Sequence, residues 1–450
     1  MAPRNYSSLR EFSFKDFYFK GGNETMSYQK IKGTLDFYQQ EATKMRFIET
    51  KAKEILKTFG FEESITPIIE MTDVFVRSSG ENSDIVNKEM YTFLDRGNRS
   101  ITLRPEGTAS IVRSFLENKL YINSPVTKLY YCGPMFRYER PQKGRYRQFM
   151  QFGIEVFGEE SPFLDADVII SAYTLLSALG IKGIKLKINT IGDFASRVNY
   201  TAKLQNYFAD KIDDFCEDCK QRLTKNPLRI LDCKVDSTKD VVKRAPKIKD
   251  SLSDASLAHF IEVTTILSMM KIPYEVEDTL VRGLDYYTDT VFEFILDTND
   301  DLQGLAICGG GRYADLVKNF GGPDISGIGY AFGLERIMMI MTNQNLFADI
   351  DKKTDVFIIS LDKESKRLGL EFANQLREEE LVVEMDYKNY TLKQQFKLTE
   401  KLNPKFIIII GEEERENNVF TIKDTQNNTQ EKVKKENIVS YIKSKNNENS

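Results

Sequence analysis

The sequence predicts an α+β protein: an antiparallel sheet backed by helices over 26–342, a helical insertion within it over about 194–273, and a small α/β domain over 354–443. Three patterns carry that reading. Short segments rich in β-branched and aromatic residues recur at 101–103, 128–131, 148–156, 186–189, 288–296 and 328–332, among stretches of helical spacing. Residues 194–273 contain no glycine and turn helical and lysine-rich. After 354, the apolar runs at 356–359, 381–383 and 406–411 are continuous rather than alternating and are separated by helical stretches. That is the pattern of a sheet buried on both faces.

In chain order, residues 1–25 mix Arg and Lys with Asp and Glu, unlike an acid-poor transit peptide, and read as a disordered extension or added leader. Apolar positions 42, 45, 48, 52, 55, 56 and 59 follow a helical period that stops at Gly60, a helix-ending residue. Residues 65–69, Ile-Thr-Pro-Ile-Ile, read as a strand. Between 136 and 149, five basic side chains and one acid, Glu139, fall within fourteen residues, and Pro141-Gln142-Lys143-Gly144 reads as a turn between two strands. Planar guanidinium groups suit bidentate phosphate binding, and aromatic neighbours suit nucleic acid. A solvated charged ribbon has the same composition.

Further along, 280–294 ends in a buried strand with Arg282, Tyr286 and Tyr287 at its mouth. Cys308-Gly309-Gly310-Gly311-Arg312-Tyr313 offers bare backbone against which a ligand can lie. Gly327, Gly329 and Gly333 alternate with apolar residues, clearing one strand face as a flat slot for a planar ring, and the chain then enters an apolar helix bearing Arg336. Residues 342–354 read as a linker, the run Glu412-Glu413-Glu414-Arg415-Glu416 as a solvated turn, and the polar tail 444–450 as disordered.

At these residues the chain resembles a known family. Phe136-Arg137-Tyr138-Glu139 and the run from Gly327 to Arg336 resemble the second and third signature motifs of class II aminoacyl-tRNA synthetases. The RGLDYYT segment at 282–288 and CGGGRY at 308–313 are similar to two motifs peculiar to histidyl-tRNA synthetases. The resemblance runs from about residue 32 to about 443, and its motifs are long and ordered along the chain, unlike a lone GxGxxG. It implies a class II catalytic domain over 26–342, an anticodon-binding domain over 354–443, and a homodimer whose interface is built by the first motif, here the helix from Ala42 and the strand at 65–69. Departures are mild: Met150 where histidine is common, Ala314 where a polar residue is frequent, and Tyr38-Gln39 for a more usual Leu-Pro.

The activity implied is activation of L-histidine by ATP, with Mg²⁺, followed by transfer to the 3′ end of tRNA(His). The attacking carboxylate is already ionised, so alignment and charge neutralisation matter more than a general base. By resemblance, Arg137 grips the α-phosphate, Arg336 the γ-phosphate of a bent ATP, and Arg282 the α-phosphate from the histidine side. Arg145 and Arg147 reach the β- and γ-phosphates, and Glu139 the adenine amino group or the tRNA's terminal adenosine. Glu155 and Tyr287, with Tyr286, read the imidazole, while Glu106, Thr108 and Gln151 hold the α-amino group. Gln142 and Lys143 meet the acceptor end of the tRNA.

With 63 basic and 67 acidic residues and a net charge of −4, the chain is not one that nucleic acid wraps over its whole surface; RNA contact must use local patches. Five cysteines, an odd number, point to a reducing cytoplasm, and neither a secretory signal nor a membrane span is visible. Cys216-x₂-Cys219 with Cys233 and the single histidine, His259, could make a Cys₃His zinc site. A second CxxC is missing and the histidine is remote, so free thiols are favoured and no metal ligand is assigned. Two other classes share the resemblance: a regulatory subunit of an ATP-phosphoribosyltransferase and a tRNA-sensing module of a stress kinase. The first generally lacks the C-terminal domain and erodes the phosphate arginines, and the second needs a kinase domain for which this chain has no room.

Overall fold

The computed structural model describes residues 28–80, 83, 85–142, 144–282, 286–347 and 354–448. The expectations for 1–25, for Lys143 and for residues 348–353 of the linker fall outside these residues. The first long helix, α1 (Gln39–Thr58), buries Met45, Ile48, Ala52 and Leu56 at helical spacing, and Gly60 beyond it takes a φ of +79° that a side chain would resist.

The larger sheet has eight strands: β1 (Glu62–Glu63), β5 (Thr127–Phe136), β6 (Gln148–Gly158), β7 (Ile184–Thr190), β8 (Tyr274–Val276), β9 (Thr288–Leu296), β10 (Ala306–Tyr313) and β11 (Ser326–Gly333). Their order is β1-β5-β6-β11-β10-β9-β7-β8, antiparallel except for the edge pairs β1–β5 and β7–β8. Helices α4 (Pro162–Ala178), α8 (Asp254–Met269) and α10 (Leu334–Asn343) pack with α1 on one face around stacked Tyr130, Phe152 and Phe332. The other face carries α3 (Thr108–Glu117) and α9 (Leu316–Asn319) over Leu129, Tyr131, Phe157 and Tyr313.

A separate three-stranded sheet of β2 (Ile69–Met71), β4 (Ser100–Leu103) and β3 (Tyr91–Leu94) sits beside it, next to α2 (Thr72–Ser79). The segment at 101–103, expected in the main sheet, belongs here. The strand expected at 65–69 is irregular until Ile69. Pro67 has no N–H to give a ladder, and the Thr66 carbonyl is instead taken by the Arg104 guanidinium at 3.0 Å.

Between β7 and β8 the chain forms α5 (Phe194–Phe208), α6 (Glu217–Lys225) and α7 (Asp240–Lys243) with short 3₁₀ turns. They share a core of their own, including Leu204, Phe208, Ile230 and Val242. The expected insertion extended to 273, but α8 buries Val263 and Leu267 in the main core instead.

The C-terminal unit is a five-stranded sheet in the order β13-β12-β14-β15-β16. Strands β12 (Val356–Ser360), β13 (Val383–Met385) and β14 (Phe406–Ile410) are parallel, with α11 (Lys363–Glu378) and α12 (Leu392–Leu402) as crossovers. Strands β15 (Val419–Asp424) and β16 (Thr429–Lys434) add an antiparallel edge that the apolar runs did not announce, because β16 is largely exposed and polar. The acidic run expected as a turn is helix α13 (Glu412–Asn417), started by Glu414 accepting the Gly411 N–H. The tail expected to be disordered from 444 continues helix α14 (Ile438–Glu448), which is anchored by buried Ile438 and Ile442.

Candidate active site

A cavity of about 440 Å³ opens over the middle strands β6, β11, β10 and β9 and takes in the β5–β6 loop, the start of α10, and Val281, Arg282, Tyr286 and Tyr287. Two networks line it. The first is built around Glu155 on β6, directly opposite Gly329 of β11. A Cβ at 329 would lie 2.1 Å from Glu155 Oε2, so the glycine makes room for the carboxylate rather than for a bound ring. Glu155 Oε1 accepts from Thr108 Oγ1 at 2.6 Å and Oε2 from Tyr313 Oη at 2.5 Å. Burial pushes this carboxyl up to about 8 even though both hydrogen bonds favour ionisation. Tyr286 and Tyr287 stand with ring centroids 4.6 Å apart, and Tyr286 meets the edge of Tyr313 at 5.5 Å.

Glu106, at the head of α3, accepts the backbone N–H groups of Thr108 at 2.6 Å and Ala109 at 3.0 Å, capping the helix from inside the cavity. Burial nevertheless raises its pKa. Gln151 Oε1 accepts the Gly107 N–H at 3.2 Å.

The second network is cationic. Arg137 donates Nε to the Pro105 carbonyl at 2.8 Å and lies over the Phe149 ring at 5.5 Å. Arg336, on the first turn of α10, donates to the carbonyls of Ala306 at 2.7 Å and Gly144 at 3.3 Å. Arg145 donates to Glu139 at 3.3 Å. Burial, and then the repulsion of Arg145, lowers the pKa of Arg336. Arg282 Nη1 pairs with Glu293 at 2.8 Å, and its guanidinium fills the space that a Cβ at Gly309 would enter, 2.4 Å away. Three buried atoms of residues on the wall lack a protein partner among the described residues: Arg282 Nε, Asp232 Oδ1 and Glu335 Oε2. Unpaired polar atoms that converge on a cavity are poised for a polar ligand.

Of the residues singled out by sequence, Arg137, Arg282, Arg336, Glu106, Thr108, Gln151, Glu155, Tyr286, Tyr287, Glu139 and Arg145 all line this cavity. Arg147 does not. It stacks on Tyr138 at 4.2 Å, donates Nε to the Glu139 carbonyl, and its backbone N–H is held by the Gly33 carbonyl at 2.7 Å. Gln142 is exposed at the loop tip, bridged to Arg145, and Lys143 lies outside the described residues. The 308–313 segment is a strand at the centre of the sheet that gives the cavity Cys308, Gly309 and Tyr313, while its Arg312 is buried against Asp165 and Ser326 and does not line it. His259 shares the other oxygen of Asp165 at 2.8 Å. Sequence reading passed over Tyr131, Tyr313, Glu293 and Asp232. Tyr313 was within a quoted motif and Glu293 alternates with buried residues along β9; Asp232 has no local signal.

A mostly antiparallel sheet that presents arginines over its central strands, with a helix bearing one of them directly after the last strand, is the core of a class II aminoacyl-tRNA synthetase. A family model for histidyl-tRNA synthetase matches residues 33–337, and one for an anticodon binding domain matches 355–445. The chain is 45% identical over 419 residues to the histidine–tRNA ligase of Staphylococcus haemolyticus, which covers 92% of this chain and 99% of that one. It is 43% identical over 415 residues to that of Staphylococcus aureus strain JH9, again 92% and 99%. The crystal structure of apo S. aureus histidyl-tRNA synthetase superposes with a TM-score of 0.80 at 38% identity, covering 93% of this chain and 100% of that one. This chain belongs to the histidyl-tRNA synthetase family.

Proposed function

We propose that the chain activates L-histidine with ATP and transfers it to the 3′ end of tRNA(His). The observation that carries this is one cavity holding both networks, with Arg282 against Glu293 and Gly309 on its wall. In the first step a histidine carboxylate oxygen bonds to the α-phosphorus and pyrophosphate leaves. Arg137 and Arg282 offset the charge gathering on the α-phosphate, while Arg336 and Arg145 hold the departing phosphates. In the second step a ribose hydroxyl of the terminal adenosine attacks the histidyl carbonyl and AMP leaves; a phosphate oxygen of the adenylate takes the proton.

Glu155 and Tyr287, with Tyr286, are proposed to read the two imidazole nitrogens, and Tyr313 to fix Glu155 for that task. Glu106, Thr108 and Gln151 are proposed to hold the α-amino group, and Glu139 the adenine amino group. Glu335 fits the oxygen-donor preference of the Mg²⁺ that accompanies ATP: one oxygen accepts the Met150 N–H at 2.8 Å and the other has no partner among the described residues. That ion would offset phosphate charge.

Exposed apolar side chains on and beside the small sheet, at Ile65, Ile68, Ile69, Met71, Phe93 and Leu94, support a homodimer through this face. No helix among the described residues is long and apolar enough to cross a membrane. A cytoplasmic location is proposed with the reading. The test is histidine-dependent ATP–pyrophosphate exchange: exchange with histidine alone among the amino acids is expected, and exchange that ignores histidine would overturn the proposal.

A further inference from the structure

The second CxxC that a zinc site lacks is present in altered form as Cys233-x₂-Asp236, fourteen residues after Cys219. Cys216 stands at the N-cap of α6, and Cys219 lies one turn in. Cys233 and Asp236 lie in the turn after the 3₁₀ stretch Pro227–Ile230. Folding brings one ligand atom from each of the four to within 4.8 Å of every other, with Cys219, Cys233 and Asp236 buried. Cys216 Sγ and Cys233 Sγ are 3.6 Å apart, and Cys233 Sγ is 3.7 Å from Asp236 Oδ2. A tetrahedral zinc with sulfur at about 2.3 Å and oxygen at about 2.0 Å holds S–S pairs about 3.8 Å apart and S–O pairs about 3.5 Å apart. Both measured pairs are already close to that spacing, and every other pair lies within 4.8 Å.

The carboxylate is also oriented as metal ligands usually are. Asp236 Oδ2 accepts the Cys216 N–H at 3.0 Å, and Oδ1 faces Lys239 Nζ at 2.9 Å. Lys239 brings a positive charge to a donor set that is strongly negative once its thiols ionise.

We propose that Cys216, Cys219, Cys233 and Asp236 bind one structural zinc ion, which staples the two chain segments of the helical insertion together. On binding, the three thiols release their protons to solvent and their sulfurs bond to the metal. Four protein ligands leave no open position, so the ion is structural rather than catalytic. Its consequence reaches the cavity. Between the two halves of the staple, Arg229 donates to the backbone carbonyl of Arg282 at 2.8 Å and pairs with Asp232 at 3.3 Å. Zinc would therefore brace the segment that presents Arg282.

The test uses the full chain, reduced, stripped with a chelator and titrated with zinc chloride. About one zinc per chain after desalting is expected, with a higher melting temperature, and cobalt(II) in its place should show thiolate charge-transfer and tetrahedral d–d bands. Cys233→Ala should lose the metal. Should that variant fail to fold, Asp236→Cys completes a four-thiolate set and should keep zinc with stronger charge transfer. His259→Gln, outside the cluster, should bind at full stoichiometry. A reduced wild-type chain that binds no zinc would overturn the proposal, as would zinc retained by folded Cys233→Ala or cobalt spectra without thiolate bands.

Discussion

Replacing Glu155 by glutamine probes both the stability and the chemistry of the buried pocket. The carboxyl is fully enclosed, and burial lifts it from 4.5 to about 8. A raised folded-state value means that this group's contribution to stability is fully present below pH 4.5 and is lost as the pH rises toward and through 8. Keeping the wild-type acid buried costs roughly 1 kcal/mol at pH 5 and roughly 4 kcal/mol at pH 8, from about 1.4 kcal/mol per unit of difference between folded and unfolded chains. The amide has nearly the same shape and does not titrate. Urea unfolding followed by near-ultraviolet circular dichroism should therefore show Glu155→Gln gaining roughly 3 kcal/mol on wild type between pH 5 and pH 8.

The same change should damage function. An imidazole N–H bonded to a carboxylate is worth roughly 1.5–3 kcal/mol, so kcat/KM for histidine should fall about ten- to a hundredfold while the KM for ATP stays within about threefold. Parallel pH profiles of stability in the two proteins would refute the burial argument. Unchanged histidine kinetics would remove Glu155 from the substrate pocket.

Arg282→Ala should lower the pyrophosphate-exchange rate by about a hundred- to a thousandfold, as removal of one fixed transition-state charge does, with circular dichroism unchanged; exchange within twofold of wild type would reject the role. Arg147→Ala, whose side chain is engaged on Tyr138 outside the cavity, should leave the KM for ATP within about threefold, the size of lost surface packing rather than of a lost phosphate contact; a tenfold rise would return it to the ATP site. A chain ending after Phe347 should keep histidine activation and lose most tRNA charging, since all the residues proposed for histidine and ATP lie upstream. Ending at Asn343 would instead strip Leu346 and Phe347 from the core and the Gln344 side chain from Lys182, so that shorter chain should be less stable in thermal melts.

What the sequence alone determined about this protein is what short-range chemistry carries. Glycine and arginine motifs, helical spacing ending at Gly60, and continuous apolar runs after 354 depend on neighbours within a few residues. They were enough for the fold class and the family, and all but one of the residues that they suggested for histidine and ATP line one cavity. Tertiary structure decided where long-range partners compete for a group. Arg147 has the same local look as Arg145, but Gly33 and Tyr138 hold it outside the cavity. Gly309 of β10 and Gly329 of β11 looked like open floor, yet the space of their missing side chains is filled by Arg282 and Glu155, residues distant in the chain. Asp232 reaches the cavity, and Asp236 the three cysteines, only because the insertion folds back on itself. His259, the ligand that sequence offered for those cysteines, is held by Asp165. Which of several chemically equal side chains meets a given partner is set by chain closure over many residues, and a local pattern carries no record of it.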